Sequence, residues 1–185
     1  MSTQSARELA LEVLLPQGEK GIGTIIQSPQ ADVIDGVKIA PYVQWPDDRG
    51  YFLEVLRAGA GPAAHFDPAA IQVSAALSYP GAIKAFHYHL HQTDLWIPAN
   101  SMFQLALVDL RRGSPTHGVR NTFYVGVLRS WQILIPPGVG HGYKVIGSEP
   151  AMLIYVTNRF YNPQDEGRIP YNHPGINYDW ETQHK

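Results

Sequence analysis

The chain has 185 residues, 44% of them hydrophobic and 16% charged, with a formal net charge of -2, which suits one hydrophobic core and excludes both a disordered polymer and two full-sized domains. Its 14 lysines and arginines form no basic run, so the clustered cations that neutralise a phosphate backbone are missing and no nucleic-acid partner is expected. Cysteine is absent, which removes disulfides, thiolate metal sites and a cysteine nucleophile.

The opening stretch MSTQSARELALEVL has no basic segment followed by an apolar core, and no run approaches the roughly 20 apolar residues that span a bilayer. The expectation is a cytoplasmic protein with no membrane partner. Ser5 and Glu8 have capping-box spacing, and residues 6–15 are rich in helix formers up to Pro16, which predicts a short N-terminal helix. Glycine and polar residues dominate 18–29 and read as a linking loop; GEKGIGT within it neither follows a strand nor opens a helix, so it is no phosphate loop. The division is an N-terminal helix and linking segment over 1–36 and one main domain over 37–185.

From there the pattern is β. KIAPYVQW, YFLEVLR, AIQVSAAL, AIKAFHYH, DLWIPA, MFQLALVDL, TFYVGVL, SWQILIPP, GYKVIG and AMLIYVTN are short, rich in β-branched and aromatic residues, and separated by Gly, Pro, Asn or Asp. They predict an all-β sandwich or barrel. In MFQLALVDL, Phe103, Leu105 and Leu107 alternate with Gln104 and Ala106, as a strand with one face on a core requires. The segment from Tyr161 onward reads as an irregular tail held by Tyr178 and Trp180.

The densest polar cluster is GAIKAFHYHLHQTD, where His87, His89 and His91 occupy alternate positions and so share a face if the strand continues through Leu90. Periodicity alone leaves that face inside or outside, with Phe86 and Tyr88 taking the other. A second run, IPPGVGHGYKV, joins a strand end, a Pro-Pro-Gly turn and His141. The two runs together resemble the paired cupin motifs, G-x5-H-x-H-x4-acid at Gly81, His87, His89 and Asp94, and P-x-G-x-x-H at Pro136, Gly138 and His141.

DDRGYFLE, Gln72, HYH, VDLRRGSPTHG, IPPGVGHGY, LIYVTNRFYNPQDEGRI and INYDW, in that order, narrow the resemblance to the dTDP-4-dehydrorhamnose 3,5-epimerase family, over roughly residues 40 to 180. The resemblance implies a cupin jelly-roll barrel (a double-stranded β-helix), a homodimer, no cofactor, and epimerisation of a nucleotide-linked 4-keto-6-deoxy sugar at C3, C5 or both. A carbonyl at C4 acidifies the neighbouring C–H bonds, so a base and an acid suffice. His87 matches the family's base and Tyr155 its general acid. Lys84 stands where the family has arginine near O4. Arg49, Phe52, Glu54, Gln72 and Glu166 match positions lining the sugar or nucleotide, some across a dimer interface, and His89 and His141 are assigned to the substrate site with them, His141 as a donor from the second motif.

Three positions depart from that pattern. Asp94 stands where the family has lysine, His89 replaces a glutamine, and the aspartate that orients the base beyond the YDW-like segment has no counterpart. Asp94 is therefore assigned as the carboxylate that orients His87 or His89. The departures open alternatives. His87, His89, Asp94 and His141 are the ligand types of metal-binding cupins; the His87/His89 pair is similar to that of sugar-nucleotide 3,4-ketoisomerases; and a non-catalytic sugar-binding cupin would keep only the pocket. His65, His117, His173 and His184 read as surface groups. Trp45, Trp131 and Trp180 read as packing residues, and Trp96 as the tryptophan placed to reach the pocket.

Overall fold

The computed structural model describes residues 19–182; the helix expected over 6–15 lies outside the described residues. Short β-branched and aromatic runs between Gly and Pro turns cannot bury both faces in a helix, and here they become strands. These are β1 (Thr24–Ile25), β2 (Lys38–Pro41), β3 (Gln44–Asp47), β4 (Gly50–Leu53), β5 (Gln72–Ser78), β6 (Ile83–His89), β7 (Asp94–Pro98), β8 (Met102–Asp109), β9 (Arg120–Gly126), β10 (Trp131–Ile135), β11 (Val139–Val145), β12 (Ala151–Thr157) and β13 (Glu166–Arg168). One sheet has the order β1-β9-β8-β11-β6-β13, the second β2-β10-β7-β12-β5, and β3 and β4 form a separate hairpin. Pairing is antiparallel except between β1 and β9.

The core lies between the two sheets. Phe103, Leu105 and Leu107 of β8 and Phe123 and Val125 of β9 meet Trp96, Ile133, Ile135 and Leu153 from the second sheet. Each such burial contributes roughly 1.5–3 kcal/mol against exposure. The alternation read in MFQLALVDL is thus correct, yet Gln104 and Ala106 on its other face are buried as well. The cause is the tail: Ile176, Tyr178 and Trp180 cover the outer face of this sheet together with Phe86, Tyr88, Ala106 and Val108. Tyr178 donates or accepts at Thr122 (2.6 Å) and accepts from Gln104 (3.0 Å), and burial pushes its phenol up to about 12.

Two strands escaped the sequence reading. The linking loop contributes β1, and the tail contributes β13, which pairs Glu166, Gly167 and Arg168 with His89, Tyr88 and His87. At Gly167 a Cβ would stand 1.9 Å from the Tyr88 ring, so only glycine lets β13 seat this closely. Arg120 ties both ends of the described chain to the sheet: its Nη1 donates to the carbonyls of Gly21, Ile176 and Asn177 at 3.2, 3.1 and 2.9 Å, and Gly21 and Tyr178 form a parallel bridge. No helix among the described residues is long and apolar enough to cross a membrane.

Candidate functional site

A cavity of about 470 Å³ lies between the sheets. From the first sheet Lys84, His87 and His89 on β6, His141 and Tyr143 on β11, and Glu166 and Arg168 on β13 reach it. From the second come Gln72 on β5, Asp94 and Trp96 on β7, and Leu153, Tyr155 and Thr157 on β12. The question periodicity left open is settled by the tail: it buries Phe86 and Tyr88 on the outer face, so His87 and His89 face inward. Lys84 and His87, three apart, would oppose each other on a regular strand. A register shift between β6 and β11 pairs His141 with His87 but Tyr143 with Lys84, and this irregularity lets both side chains line one cavity.

His91 does not join them. The strand ends at His89 because Asp165, itself buried, accepts from the backbone N–H groups of Leu90, His91 and Gln92 at 3.0, 2.9 and 2.9 Å. This turn exposes His91 and sends Gln92 inward. Sequence reasoning missed Asp165, Gln92 and Arg168, whose roles follow from a contact between segments far apart in the chain.

At the floor of the cavity His89, Asp94 and His141 form a buried group. His89 Nε2 and His141 Nε2 lie 3.9 and 3.7 Å from Asp94 Oδ2. The Gln92 amide donates to Asp94 Oδ1 at 2.7 Å and to His89 Nε2 at 3.2 Å, and Trp96 Nε1 donates to Asp94 Oδ2 at 3.2 Å. That arrangement puts the His89 proton on Nδ1, a buried atom with no hydrogen-bond partner among the described residues. His141 Nδ1 donates to the Val139 carbonyl at 2.9 Å, leaving Nε2 bare toward Asp94. Burial drives the His141 pKa well below its ordinary value, reinforced by His89 and His87. Burial also raises the Asp94 carboxyl, against the lowering pull of His89, Gln92 and Trp96.

Nearer the opening the balance differs. The His87 side chain is 39% exposed and its Nδ1 lies 3.5 Å from Glu166 Oε1. The same oxygen accepts from Arg168 Nε at 2.6 Å. Burial lowers the His87 pKa, Glu166 raises it, and Arg168, His89 and Lys84 lower it further. Across the cavity Tyr155 sits on β12 opposite Ser74 and Trp96. Beside it Gln72 donates to Ser74 (3.1 Å) and accepts from the Tyr161 backbone (2.9 Å).

Of the residues singled out from sequence, His87, His89, Asp94, His141, Tyr155, Gln72, Lys84 and Glu166 come together here. Arg49, Phe52 and Glu54 do not line this cavity. They belong to the β3–β4 hairpin and the residue after it, where Arg49 pairs with Asp47 (2.5 Å), Glu54 with Arg57 (2.8 Å), and Phe52 lies exposed against Trp45 at 5.8 Å. Trp45 is itself 53% exposed and does not pack in a core as expected. Asp94 faces His89 and His141; the carboxylate beside His87 is Glu166. The four residues considered as metal ligands reduce to His89, Asp94 and His141, whose donor atoms lie within 4.8 Å of one another. Both Asp94 oxygens there already accept N–H donors.

Fold and cavity together define an all-β protein whose ionisable groups sit on the strands of two facing sheets, an arrangement suited to moving protons on a polar ligand held between them. The family model described as dTDP-4-dehydrorhamnose 3,5-epimerase matches residues 32–185, and the chain belongs to that family. It is 43% identical over 153 residues to the spore coat polysaccharide biosynthesis protein SpsL of Bacillus subtilis, covering 82% of this chain and 99% of that protein. Among solved structures it is similar to NovW, a 4-keto-6-deoxy sugar epimerase from Streptomyces spheroides (27% identity, TM-score 0.69, 80% of this chain and 76% of that one). It is also similar to the dTDP-6-deoxy-D-glucose-3,5-epimerase of Legionella pneumophila in complex with dTDP-4-keto-L-rhamnose (27% identity, TM-score 0.66, 80% and 79%).

Proposed function

We propose that this chain is an isomerase that epimerises a nucleotide-linked 4-keto-6-deoxy sugar at C3, C5 or both, without a cofactor. The observation that carries the reading is the placement of His87 and Tyr155 in one cavity on strands of opposite sheets. Inversion at carbon needs a proton removed from one face of the ring and returned to the other, which a base and an acid on facing walls supply. His87 takes the proton from the carbon next to the C4 carbonyl, and the bond electrons pass into the enolate. Tyr155, a phenol on the opposite wall of the cavity, returns a proton from the other side. Lys84, in the same cavity, stabilises charge on O4, while His141, with Nδ1–H given to the Val139 carbonyl and Nε2 bare, has no N–H left for that task. His89 and Asp94 shape the floor, and Gln72 and Glu166 complete the walls.

The two sheets and their crossed strand order support a cupin jelly roll, with 37–185 as the epimerase domain and 1–36 adding β1 to it. A homodimer is supported by β5, a sheet edge unpaired among the described residues, bearing the exposed Val73 and Leu77 and followed by exposed Tyr79. In such a dimer the β3–β4 hairpin would carry Arg49, Phe52 and Glu54 toward the partner's cavity. A cytoplasmic location fits a nucleotide-sugar substrate. The 3,4-ketoisomerase alternative needs two working imidazoles, and His89 is closed in by Gln92 and Asp94.

The test is incubation in D2O with dTDP-4-keto-6-deoxyglucose while C3 and C5 are followed by NMR. Deuterium entering either carbon, and lost in His87→Ala and Tyr155→Phe, supports the reading. Tight binding with no exchange at either carbon would reject it in favour of a sugar-binding protein.

A further inference from the structure

We infer that Glu166 is the positioning residue for His87: it accepts the Nδ1–H of the imidazole, leaves Nε2 as the atom that takes the substrate proton, and is itself held by Arg168. The inference deepens the epimerase reading and rests on it.

The geometry is specific to β13. Glu166 Oε1 is shared, 3.5 Å from His87 Nδ1 and 2.6 Å from Arg168 Nε. The Glu166 side chain is only 10% exposed while Arg168 is 72% exposed, so the carboxylate is enclosed and its cation stands at the opening. The strand that presents it is fixed at both ends, by the reciprocal Phe86 and Ile169 backbone bonds (2.7 and 2.9 Å) and by Leu90 N to Asp165 O (3.3 Å). Gly167 pressed on the Tyr88 ring prevents sliding between them. The other groups acting on His87 are Lys84, Arg168 and His89, and Asp94 is occupied by Gln92 and Trp96.

A neutral imidazole has one N–H and one lone pair, and the acceptor beside Nδ1 decides which nitrogen keeps the hydrogen. With a carboxylate there, the proton sits on Nδ1 and Nε2 is the base. When Nε2 takes the proton from carbon, the resulting imidazolium faces a carboxylate, as in other histidine–carboxylate pairs. A separation of 3.5 Å is long for a hydrogen bond, and such contacts commonly tighten only once a ligand fills the site. Glu166 thus fills the role that the sequence reading gave to Asp94.

The experiment compares wild type, Glu166→Gln and Arg168→Ala, each labelled with 15N-histidine, free and saturated with dTDP. Expected for wild type is the Nδ1–H tautomer of His87, more fully populated with dTDP. Glu166→Gln keeps the shape and loses the charge, so the tautomers should mix and kcat should fall roughly 10- to 100-fold with KM nearly unchanged. Arg168→Ala should lower kcat less, by about 3- to 10-fold, with partial mixing. A His87 tautomer unchanged by Glu166→Gln, or a higher KM at constant kcat, would overturn the inference and make Glu166 a substrate contact. The tautomer is read without turnover, so it is separable from the epimerase reading, which fails instead if wild type exchanges no substrate deuterium.

Discussion

His87 and His89 are two residues apart on one face of one strand, and their surroundings could hardly be less alike. His89 sits in a closed box with Asp94, His141, Gln92 and Trp96, its side chain 9% exposed, while His87 stands 39% exposed beside a carboxylate shared with an arginine. The strand supplies position, and the elements packed around it supply function. A turn pinned by Asp165 folds Gln92 over the first histidine. A three-residue strand from the tail brings Glu166 to the second. Imidazoles enclosed with a buried carboxyl and its N–H donors hold a floor together, and an imidazole open to the cavity beside a carboxylate can trade protons.

The largest effect expected is at the open histidine and across from it. His87→Ala and Tyr155→Phe should each slow deuterium incorporation about 10²- to 10⁴-fold with little change in melting temperature. An equal loss in His89→Ala, in a protein of unchanged stability, would erase the distinction between the two histidines.

The floor should answer in stability. Asp94→Leu strands the buried N–H groups of Gln92 and Trp96, each left without its acceptor at about 1–3 kcal/mol, and should lower the denaturation midpoint clearly. Asp94→Asn, which keeps an acceptor, should fold and retain more activity than His87→Ala. Turnover as low as in His87→Ala would show the floor taking part in the chemistry.

Acid separates the regions by sign. The His141 pKa is depressed in the fold, so the unfolded chain binds a proton that the folded chain refuses, and stability contributed by this site falls as pH drops below about 6.5. Asp94 is raised and acts oppositely: its contribution is present at low pH and is lost as pH rises through its folded value. Melting curves in wild type and His141→Asn should show the slope just below pH 6.5 shrink in the variant. His87 is also depressed, so it stays an unprotonated base into mildly acidic solution, and the acid limb of the exchange rate should lie below pH 6.5. A limb above that value would assign the base elsewhere.

The smallest effect belongs to the hairpin. Phe52→Ala should raise KM roughly threefold at constant kcat, and only under conditions where light scattering finds a dimer. An unchanged KM in the dimer would remove the hairpin from the substrate site.

Most of the strands were legible because each announces itself locally: alternation in MFQLALVDL, Pro-Gly turns after SWQILI, His87 and His89 at even spacing. The residues lining the cavity were legible to the same depth, through HYH, the turn before His141 and Tyr155. What stayed hidden depends on contacts between distant segments. EGR has nothing strand-like about it until Gly167 meets Tyr88. Lys84 and His87 have the wrong parity to share a face until the register with β11 slips. Asp94 and Glu166 could not be assigned to their histidines by spacing, since Asp94 reaches across from the opposite sheet and Glu166 comes from the tail. Trp45 read as a packing residue because composition cannot say which hairpin lacks a neighbour.

The clamp made by Arg120 has a consequence for connectivity. Because Gly21 and Tyr178 run side by side under one guanidinium, the order in which the strands are threaded is separable from the shape they build. A chain rejoined between these two segments and opened at Leu128, 85% exposed on the turn between β9 and β10, would be a circular permutant that keeps every sheet neighbour and the whole cavity.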